Sequence, residues 1–221
     1  RVHLVLSADD AVDAVVAALR PGLGADVPVI DHSTNLPARV RDRFGRLRAE
    51  GVRYVPAPVF MAPQNAREAS GLMLLAGPAE DAAELNDALA AMTGKLWHVG
   101  EQPELAAVYK LAGNSLYFAL TGAMADVLAI GAGSGVDGAT MLRLFEVFKP
   151  GSALPFIGQR VMAAGTGPAS FELAMARKDA RLMTEAAGTA PLCVLPAVAQ
   201  AMDAALARGL GDADFAVFVR R

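Results

Sequence analysis

The fold is decided by the stretch Val2-His3-Leu4-Val5-Leu6-Ser7, a short apolar run of strand length, and by residues 9–19 directly behind it. Apolar residues in the second segment recur at helical spacing, and Ser7 or Asp9 is placed to cap that helix. A second strand-like run, Val27-Pro28-Val29-Ile30-Asp31, follows. Strand, helix and strand in succession predict parallel strands joined by a crossover helix.

The alternation of strand-like and helix-like segments continues to about residue 100. Helical patterns cover residues 37–50 and 80–92, and strand-like runs cover residues 54–59, 72–77 and 95–99. This order predicts a mostly parallel sheet covered by helices. We therefore expect residues 1–100 to form a Rossmann-like α/β domain.

After Gly100 the pattern becomes helical. A run of helix formers without proline predicts a long helix over residues 103–130, and further helical patterns cover residues 137–148, 155–164, 171–188 and 195–208. Only residues 215–218 have a β-type period. The glycines of residues 131–135 follow a helix and are typical of a helix C-terminal turn. The sequence thus predicts a second, all-helical domain over residues 101–221, joined to the first by the long helix.

Composition excludes several classes of function. The chain is 54% hydrophobic with a net charge of −3, and it has no basic stripe with interleaved aromatic residues, so we expect no nucleic-acid partner. The apolar runs look short or interrupted by charge, so no membrane-spanning helix is expected.

Cysteine and histidine usage indicates neither disulfides nor metal. The single cysteine, Cys193, lies among apolar residues and is interpreted as a core residue, which favours a reducing, cytoplasmic location. His3, His32 and His98 are scattered, and no two have metal-ligand spacing. No metal site is predicted.

Two polar residues, Lys110 and Asn114, stand out in the apolar run of the long helix. Their spacing of four residues places both on one helix face. A lysine shielded from water has a lowered pKa, which suits a general acid/base near neutral pH. The alternative is a surface lysine that keeps its ammonium in water. An asparagine buried in a helix needs a hydrogen-bond partner, which Lys110 or a ligand would supply.

A dinucleotide-binding fold ordinarily opens with a strand, a Gly-x-Gly-x-x-Gly turn and a helix whose N-terminus holds the pyrophosphate. The sequence has no such stretch and begins with Arg1 directly before a strand. We therefore expect a first βαβαβ half to precede it.

Four segments resemble motifs of the β-hydroxyacid dehydrogenase family, the 3-hydroxyisobutyrate dehydrogenase-like branch of the 6-phosphogluconate dehydrogenase superfamily. Residues 31–37 are similar to D-x-S-T-x-x-P, and residues 54–59 resemble the family's substrate loop, D-A-P-V. Residues 110–114 match K-x-x-x-N on the interdomain helix, and residues 171–179 are similar to F-x6-K-D. The four motifs occur in the family's order and spacing, and the resemblance covers essentially the whole chain.

The resemblance implies a role for each matching residue. Lys110 would be the acid/base, and Asn114 would bind substrate or orient Lys110. Ser33 would touch substrate. The cofactor NADP or NAD, with NADP favoured, would contact residues of both domains: Leu6, Ser7, Thr34, Phe171 and Lys178. The active site would lie in a cleft between the sheet edge and the helical domain.

Each of these residues also has an ordinary structural interpretation. Ser33 and Thr34 could cap the following helix. Lys178 next to Asp179 is typical of a solvated charged pair, and Phe171 at the start of an apolar-periodic helix is typical of a core residue.

The sequence departs from the family pattern at the substrate loop. Phe60, Met61 and Ala62 stand where acid-specific members have Ser-Gly-Gly, and none of them offers a side-chain donor to a carboxylate. Pro56 also replaces the aspartate that opens the family's D-A-P-V. These changes predict a small, uncharged or weakly polar carbonyl or imine substrate.

Three further expectations complete the functional prediction. An imine reductase-like enzyme is one alternative, although imine reductases generally carry aspartate or tyrosine at the Lys110 position. A non-catalytic dehydrogenase-fold scaffold is another. The long helix and the Ala/Leu-rich second half predict a homodimer that buries apolar helix faces between subunits.

Overall fold

The computed structural model of the chain describes residues 1–24 and 26–220 and contains two compact units, Arg1–Leu116 and Tyr117–Arg221. The division falls inside the long helix, beyond the domain boundary predicted after residue 100. Arg221, the last residue of the predicted second domain, lies outside the described residues.

The first unit alternates strands and helices as predicted. Its strands are β1 (Val2–Leu4), β2 (Val29–Asp31), β3 (Tyr54–Pro56), β4 (Val59–Phe60), β5 (Leu72–Ala76) and β6 (Lys95–Gly100). Its helices are α1 (Asp9–Leu19), α2 (Pro37–Ala49), α3 (Pro63–Arg67) and α4 (Ala79–Ala90), with a 3₁₀ turn at Arg20–Gly22.

The strands form two three-stranded sheets that follow one another in the chain. Strands β1, β2 and β3 are parallel, whereas β4 runs antiparallel to β5, which is parallel to β6. The run predicted as one strand over residues 54–59 is interrupted at Ala57 and Pro58. Pro58 has no N–H for a ladder, but its carbonyl accepts a hydrogen bond from Leu74 N at 2.9 Å.

Helices cover both faces of the first sheet. Leu4, Val29 and Tyr54 alternate onto one face and pack with residues of α1 and α2. Ile30 and Val55 face the other way and pack with β5 and α4. Burial on both faces is the arrangement that parallel sheets require, and it confirms the predicted Rossmann-like class.

The second unit is helical, as predicted. The long helix α5 (Leu105–Gly133) enters it, and the helices that follow are α6 (Gly138–Leu142), α7 (Leu144–Val147), α8 (Leu154–Met162), α9 (Leu173–Ala187) and α10 (Leu195–Ala207). Short 3₁₀ turns occupy Pro150–Ala153 and Phe215–Val219. The helix predicted over residues 137–148 is in fact two helices, α6 and α7.

The ends of two segments show where local chemistry decides the structure. At the end of α5, Gly135 has φ +75°, and Val136 N donates to Gly131 O at 2.8 Å, which confirms the predicted C-terminal turn. The β-type prediction for residues 215–218 is wrong. Asp214 accepts a hydrogen bond from Ala216 N at 3.1 Å and caps a 3₁₀ helix there.

Helix α5 corrects the expectation that no segment is long and apolar enough to cross a membrane. It has 29 residues, and its most apolar 18-residue window has a mean hydropathy of 1.5. Only 17% of that window is buried. Lys110 and Asp126 are its only charged residues, too few to interrupt the apolar run.

Asp126 of α5 caps the N-terminus of α10 from a distance in sequence. Its buried carboxylate accepts hydrogen bonds from the backbone N–H groups of Cys193, Val194 and Leu195, the last two at 3.0 and 2.7 Å. Burial raises the pKa of Asp126, but the three N–H groups outweigh it and hold the pKa below its ordinary value.

The Cys193 side chain is exposed, so its interpretation as a core residue is wrong.

We expect Asp126→Ala to lower the free energy of unfolding of the second unit by about 2–3 kcal/mol at pH 7. Because the folded pKa lies below the unfolded value of about 3.9, this stabilisation is complete above pH 3.9 and disappears as the pH falls through the folded pKa. Urea unfolding followed by far-UV circular dichroism measures the difference. Asp137→Ala, which removes an exposed cap of α6, is the control and should cost less. Equal stability of Asp126→Ala and wild type at pH 7 would contradict the assignment.

Candidate active site

The loops after β1 and β2 are bound together at the carboxyl edge of the first sheet. Leu6 N donates to Ser33 Oγ at 2.9 Å, and Leu36 N donates to Asp9 Oδ2 at 3.0 Å. Asp9 therefore ties the loops together, and neither it nor Ser7 makes the predicted side-chain cap on α1, whose N-cap is Ala8. The structure thus brings together Leu6 and Ser33, predicted to contact cofactor and substrate.

The side chains of these loops differ in accessibility. Ser33 is buried, whereas Ser7 and Thr34 are exposed and their hydroxyls are open to a ligand. The neighbouring Asn35 is buried; its Nδ2 donates to Asp31 Oδ2 at 2.8 Å, but its Oδ1 has no partner among the described residues. A buried acceptor without a donor costs free energy, and of the hydroxyls described at this edge only those of Ser7 and Thr34 are exposed enough to meet a ligand.

Asp31, the last residue of β2, fixes the loop that contains Ser33. Its fully buried carboxylate accepts hydrogen bonds from Ser33 N at 2.9 Å and from Tyr54 Oη at 2.6 Å, besides that from Asn35. Burial raises the pKa of the Tyr54 hydroxyl, and the Asp31 charge raises it further, so Tyr54 remains a donor.

Arg43 neutralises this buried carboxylate. Its Nη1 lies 3.9 Å from Asp31 Oδ2 and 3.2 Å from Tyr54 Oη, and its side chain also binds Asp9 and Asp13 at 2.8 Å. Neither Arg43 nor Tyr54 is among the site residues that the sequence predicts. The available signal was an arginine on the apolar face of α2, in line with Val40 and Leu47, which are buried.

Two of the scattered histidines meet beside the loop. His32 Nδ1 lies 2.8 Å from Ala57 O, and His32 Nε2 lies 3.0 Å from His3 Nδ1. Since a carbonyl only accepts, His32 donates from Nδ1 and accepts from His3 at Nε2. Burial lowers the pKa of both rings, which favours this neutral pair. Within the described residues, no group of three or more His, Cys, Asp or Glu residues is placed to hold a metal.

The predicted pair Lys110 and Asn114 is formed on α5. Lys110 Nζ donates to Asn114 Oδ1 at 3.2 Å and lies 4.4 Å from the centre of the Phe60 ring. Lys110 is half-buried, and burial holds its pKa below the ordinary value. The lysine is therefore partly shielded from water.

Phe60 reaches this lysine because Gly113 leaves room for its ring. A β-carbon on residue 113 would lie 2.5 Å from Phe60 Cζ, inside van der Waals contact. Phe60 belongs to β4, pairs with Leu72 of β5 and packs beside Ala106 of α5. The contact fixes the ring between the second sheet and the start of the long helix.

The other two residues of the predicted substrate loop, Met61 and Ala62, contact a different part of the first unit. Met61 and Ala62 line an apolar cavity of about 550 Å³ together with Val5, His32 and Met73. Ala62 N donates to Asn65 Oδ1 at 2.9 Å, so this amide is already occupied.

Phe171 and Lys178 belong to the second unit. The half-exposed ring of Phe171 packs edge-on against Phe215, with 5.6 Å between ring centres. Lys178 is exposed on α9, and its Nζ lies 2.9 Å from Asp179 Oδ1. Their cofactor roles stay predictions.

Two family models match successive parts of the chain. Residues 1–100 match the NAD binding domain of 6-phosphogluconate dehydrogenase, and residues 105–221 match the NAD-binding domain of NADP-dependent 3-hydroxyisobutyrate dehydrogenase. The chain belongs to the 3-hydroxyisobutyrate dehydrogenase family. This confirms the predicted resemblance and makes the chain an NAD(P)-dependent oxidoreductase.

Individual relatives of this dehydrogenase family member are distant. The uncharacterized oxidoreductase YfjR of Bacillus subtilis (strain 168) is 24% identical over 225 residues, which cover 99% of this chain and 78% of the relative. The L-threonate dehydrogenase of Cupriavidus necator is 29% identical over 126 residues, which cover 57% of this chain and 41% of that enzyme.

Solved structures share the dehydrogenase fold at low identity. An imine reductase from Myxococcus stipitatus, a V8 variant in complex with NAD+, has a TM-score of 0.83 at 18% identity and covers 99% of this chain and 78% of its own. A reductive aminase from Aspergillus terreus, in complex with NADPH4, cyclohexanone and allyl amine, has a TM-score of 0.82 at 18% identity, covering 98% and 77%. At this identity the likeness supports the fold alone.

Proposed function

We propose that this chain transfers hydride between a nicotinamide cofactor and a small hydroxy or carbonyl compound, with Lys110 as the acid/base. The observation that carries the proposal is the half-buried Lys110 ammonium, hydrogen-bonded to Asn114 in a member of an oxidoreductase family.

The chemistry assigns a task to each side chain of the pair. A carbonyl that gains a hydride develops alkoxide charge on its oxygen, and the Lys110 ammonium stabilises that charge and donates the proton. In the reverse direction the neutral amine takes the proton from the hydroxyl. Burial lowers the pKa of Lys110 and so increases the amine fraction near neutral pH. Asn114 Oδ1 orients Nζ. The bound cofactor supplies or accepts the hydride.

The loop residues at the carboxyl edge of the first sheet fit the cofactor. The exposed hydroxyls of Ser7 and Thr34 offer polar partners to ribose hydroxyls or to a carboxamide. We assign the cofactor contacts, with NADP favoured over NAD, to Leu6, Ser7, Thr34, Phe171 and Lys178. Ser33 is assigned to the substrate, since its hydroxyl accepts from Leu6 N and keeps its own proton to donate.

The substrate loop favours an uncharged compound. The side chains of Phe60 and Met61 have no hydrogen-bond donor, and the Ala62 amide is bound to Asn65. Binding a carboxylate here without donors would cost its desolvation energy.

We expect kcat/KM for 3-hydroxyisobutyrate below about 10⁴ M⁻¹s⁻¹, the lower end of the range typical of enzymes on their own substrates. Its methyl ester is the matched control, because it keeps the carbon skeleton and removes the charge, and it should be oxidised more efficiently. Spectrophotometric assays with NADP and NAD measure both. A kcat/KM for the acid that reaches this level and exceeds that for the ester would contradict the substrate class. Faster reduction of a cyclic imine than of any carbonyl would favour the imine reductase alternative.

The second unit exposes apolar side chains in the way a dimer-forming protein does. Tyr117 and Phe118 of α5 are each 70% exposed, and Met162 of α8 is 81% exposed. Large apolar side chains exposed to this degree are typical of a surface that a partner covers. We assign it to a second copy of the chain, in a homodimer that covers α5. The single cysteine fits the reducing environment of the cytoplasm.

A further inference from the structure

We propose that Phe60 is a positioning residue for Lys110: its ring, seated on Gly113, holds the ammonium at a fixed place beside Asn114. This inference rests on the proposed function, since that function makes Lys110 the acid/base. It also gives a reason for a phenylalanine and a glycine at two positions far apart in sequence.

The geometry places the ammonium over the face of an aromatic ring. Lys110 Nζ lies 4.4 Å from the centre of the Phe60 ring, within the 6 Å at which the negative ring face attracts a cation. An ammonium has three N–H donors. One is taken by Asn114 Oδ1, which leaves two for the ring face and the reacting oxygen.

The helix provides the seat for this ring. Residues 110, 113 and 114 lie on one helix face because they are separated by three and four positions. Glycine in the middle of a helix is unfavourable relative to alanine, so Gly113 needs a structural reason. That reason is the Phe60 ring, whose Cζ would lie 2.5 Å from a β-carbon at position 113.

The ring matters because charged partners for Lys110 are absent from the described part of the first unit. No charged group shifts the pKa of Lys110 there, and its hydrogen-bond partner, Asn114, is neutral. Phe60 of β4 and Asn114 of α5 both lie next to the ammonium. Burial lowers the pKa of Lys110, and the attraction of the ring opposes that effect.

A simpler alternative is that Phe60 is only an apolar wall. The two roles predict different results for Phe60→Leu, which keeps an apolar side chain and removes the ring. If Phe60 only provides apolar surface, leucine replaces it and the pKa of Lys110 stays unchanged. Loss of the ring attraction lowers the pKa further below its ordinary value.

The test is a titration of Lys110 by NMR in protein labelled with ¹³C at the lysine ε-carbon. The chain has only four lysines, Lys95, Lys110, Lys149 and Lys178, so the Lys110 signal is assigned from its absence in Lys110→Met. We expect Phe60→Leu to lower the pKa of Lys110 by about 0.5, the shift that corresponds to a modest cation–π attraction. The upfield ring-current shift of the Lys110 ε-protons should disappear with it.

Three other variants separate positioning from general damage. Phe60→Tyr keeps the ring and should retain both the pKa and the ring-current shift. Gly113→Ala changes no polar group but displaces the ring, so the ring-current shift should fall. Phe44→Leu is the control, because the Phe44 ring lies under a different cation: Arg48 Cζ is 5.0 Å from the centre of that ring. This substitution should change neither the pKa nor the ring-current shift of Lys110.

An unchanged Lys110 pKa and an unchanged ε-proton shift in Phe60→Leu would overturn the inference. That failure is distinct from failure of the proposed function, which would appear as undiminished turnover in Lys110→Met. The titration itself requires no turnover.

Discussion

Replacing Lys110 by methionine is expected to lower kcat about 10²–10⁴-fold, the contribution typical of a general acid/base. Methionine has nearly the length of lysine and fills the space beside Phe60, but it cannot donate a proton to the developing alkoxide. Asn114 then loses its partner without gaining any acid/base capacity. Affinity for NADPH should stay close to that of wild type, because the proposed cofactor contacts do not include Lys110.

The measurement combines steady-state rates of NADPH-dependent carbonyl reduction with cofactor binding followed by fluorescence. Lys95→Met, which removes an exposed lysine of β6 in the same unit, is the matched control and should retain wild-type rates. Equal kcat in Lys110→Met and wild type would exclude Lys110 as the acid/base. A wild-type protein that binds NADPH but turns over no carbonyl, alcohol or imine would instead favour the scaffold alternative.

Asp31→Ala should destabilise the first unit by about 3–5 kcal/mol, the loss typical when one partner of a buried ion pair is removed. The substitution leaves the buried Arg43 guanidinium without Asp31, and it frees the Ser33 N–H, the Asn35 amide and the Tyr54 hydroxyl. Each of these buried donors then lacks the acceptor that compensates its desolvation.

Urea unfolding followed by fluorescence of Trp97 reports on this unit, because Trp97 is the only tryptophan and lies in β6. Asp42→Ala on α2 is the matched control, since Asp42 is exposed and should have little effect on the unfolding free energy. A loss below about 1 kcal/mol in Asp31→Ala would show that the carboxylate does not hold the loop as described.

The elements of the fold follow closely from the sequence where apolar periodicity is strong. Strand β2 and helix α2 were located to within a few residues, since burial on one helix face or both strand faces leaves a regular pattern. The 3₁₀ turn after Asp214 was not found, because alternation of large and small apolar residues over four positions also fits a strand. Its capping by the Asp214 side chain decides the conformation, and apolar periodicity does not report it.

The candidate site was predictable only as far as its residues lie close together in sequence. The pairing of Lys110 with Asn114 follows from helix geometry alone. The contact of Phe60 with Gly113 does not, because it depends on where β4 passes α5. The binding of Asp31 to Arg43 likewise depends on tertiary packing, and only the arginine on the apolar face of α2 pointed to it.

The most direct test of the central claim is a transfer experiment with NADPH that carries deuterium at nicotinamide C4. A small neutral ketone is reduced by the wild-type protein, and the alcohol is analysed by mass spectrometry and NMR. The proposed function predicts one deuterium on the carbinol carbon and a large loss of product with Lys110→Met. Absence of deuterium from that carbon, or equal product from both proteins, would contradict the proposed function.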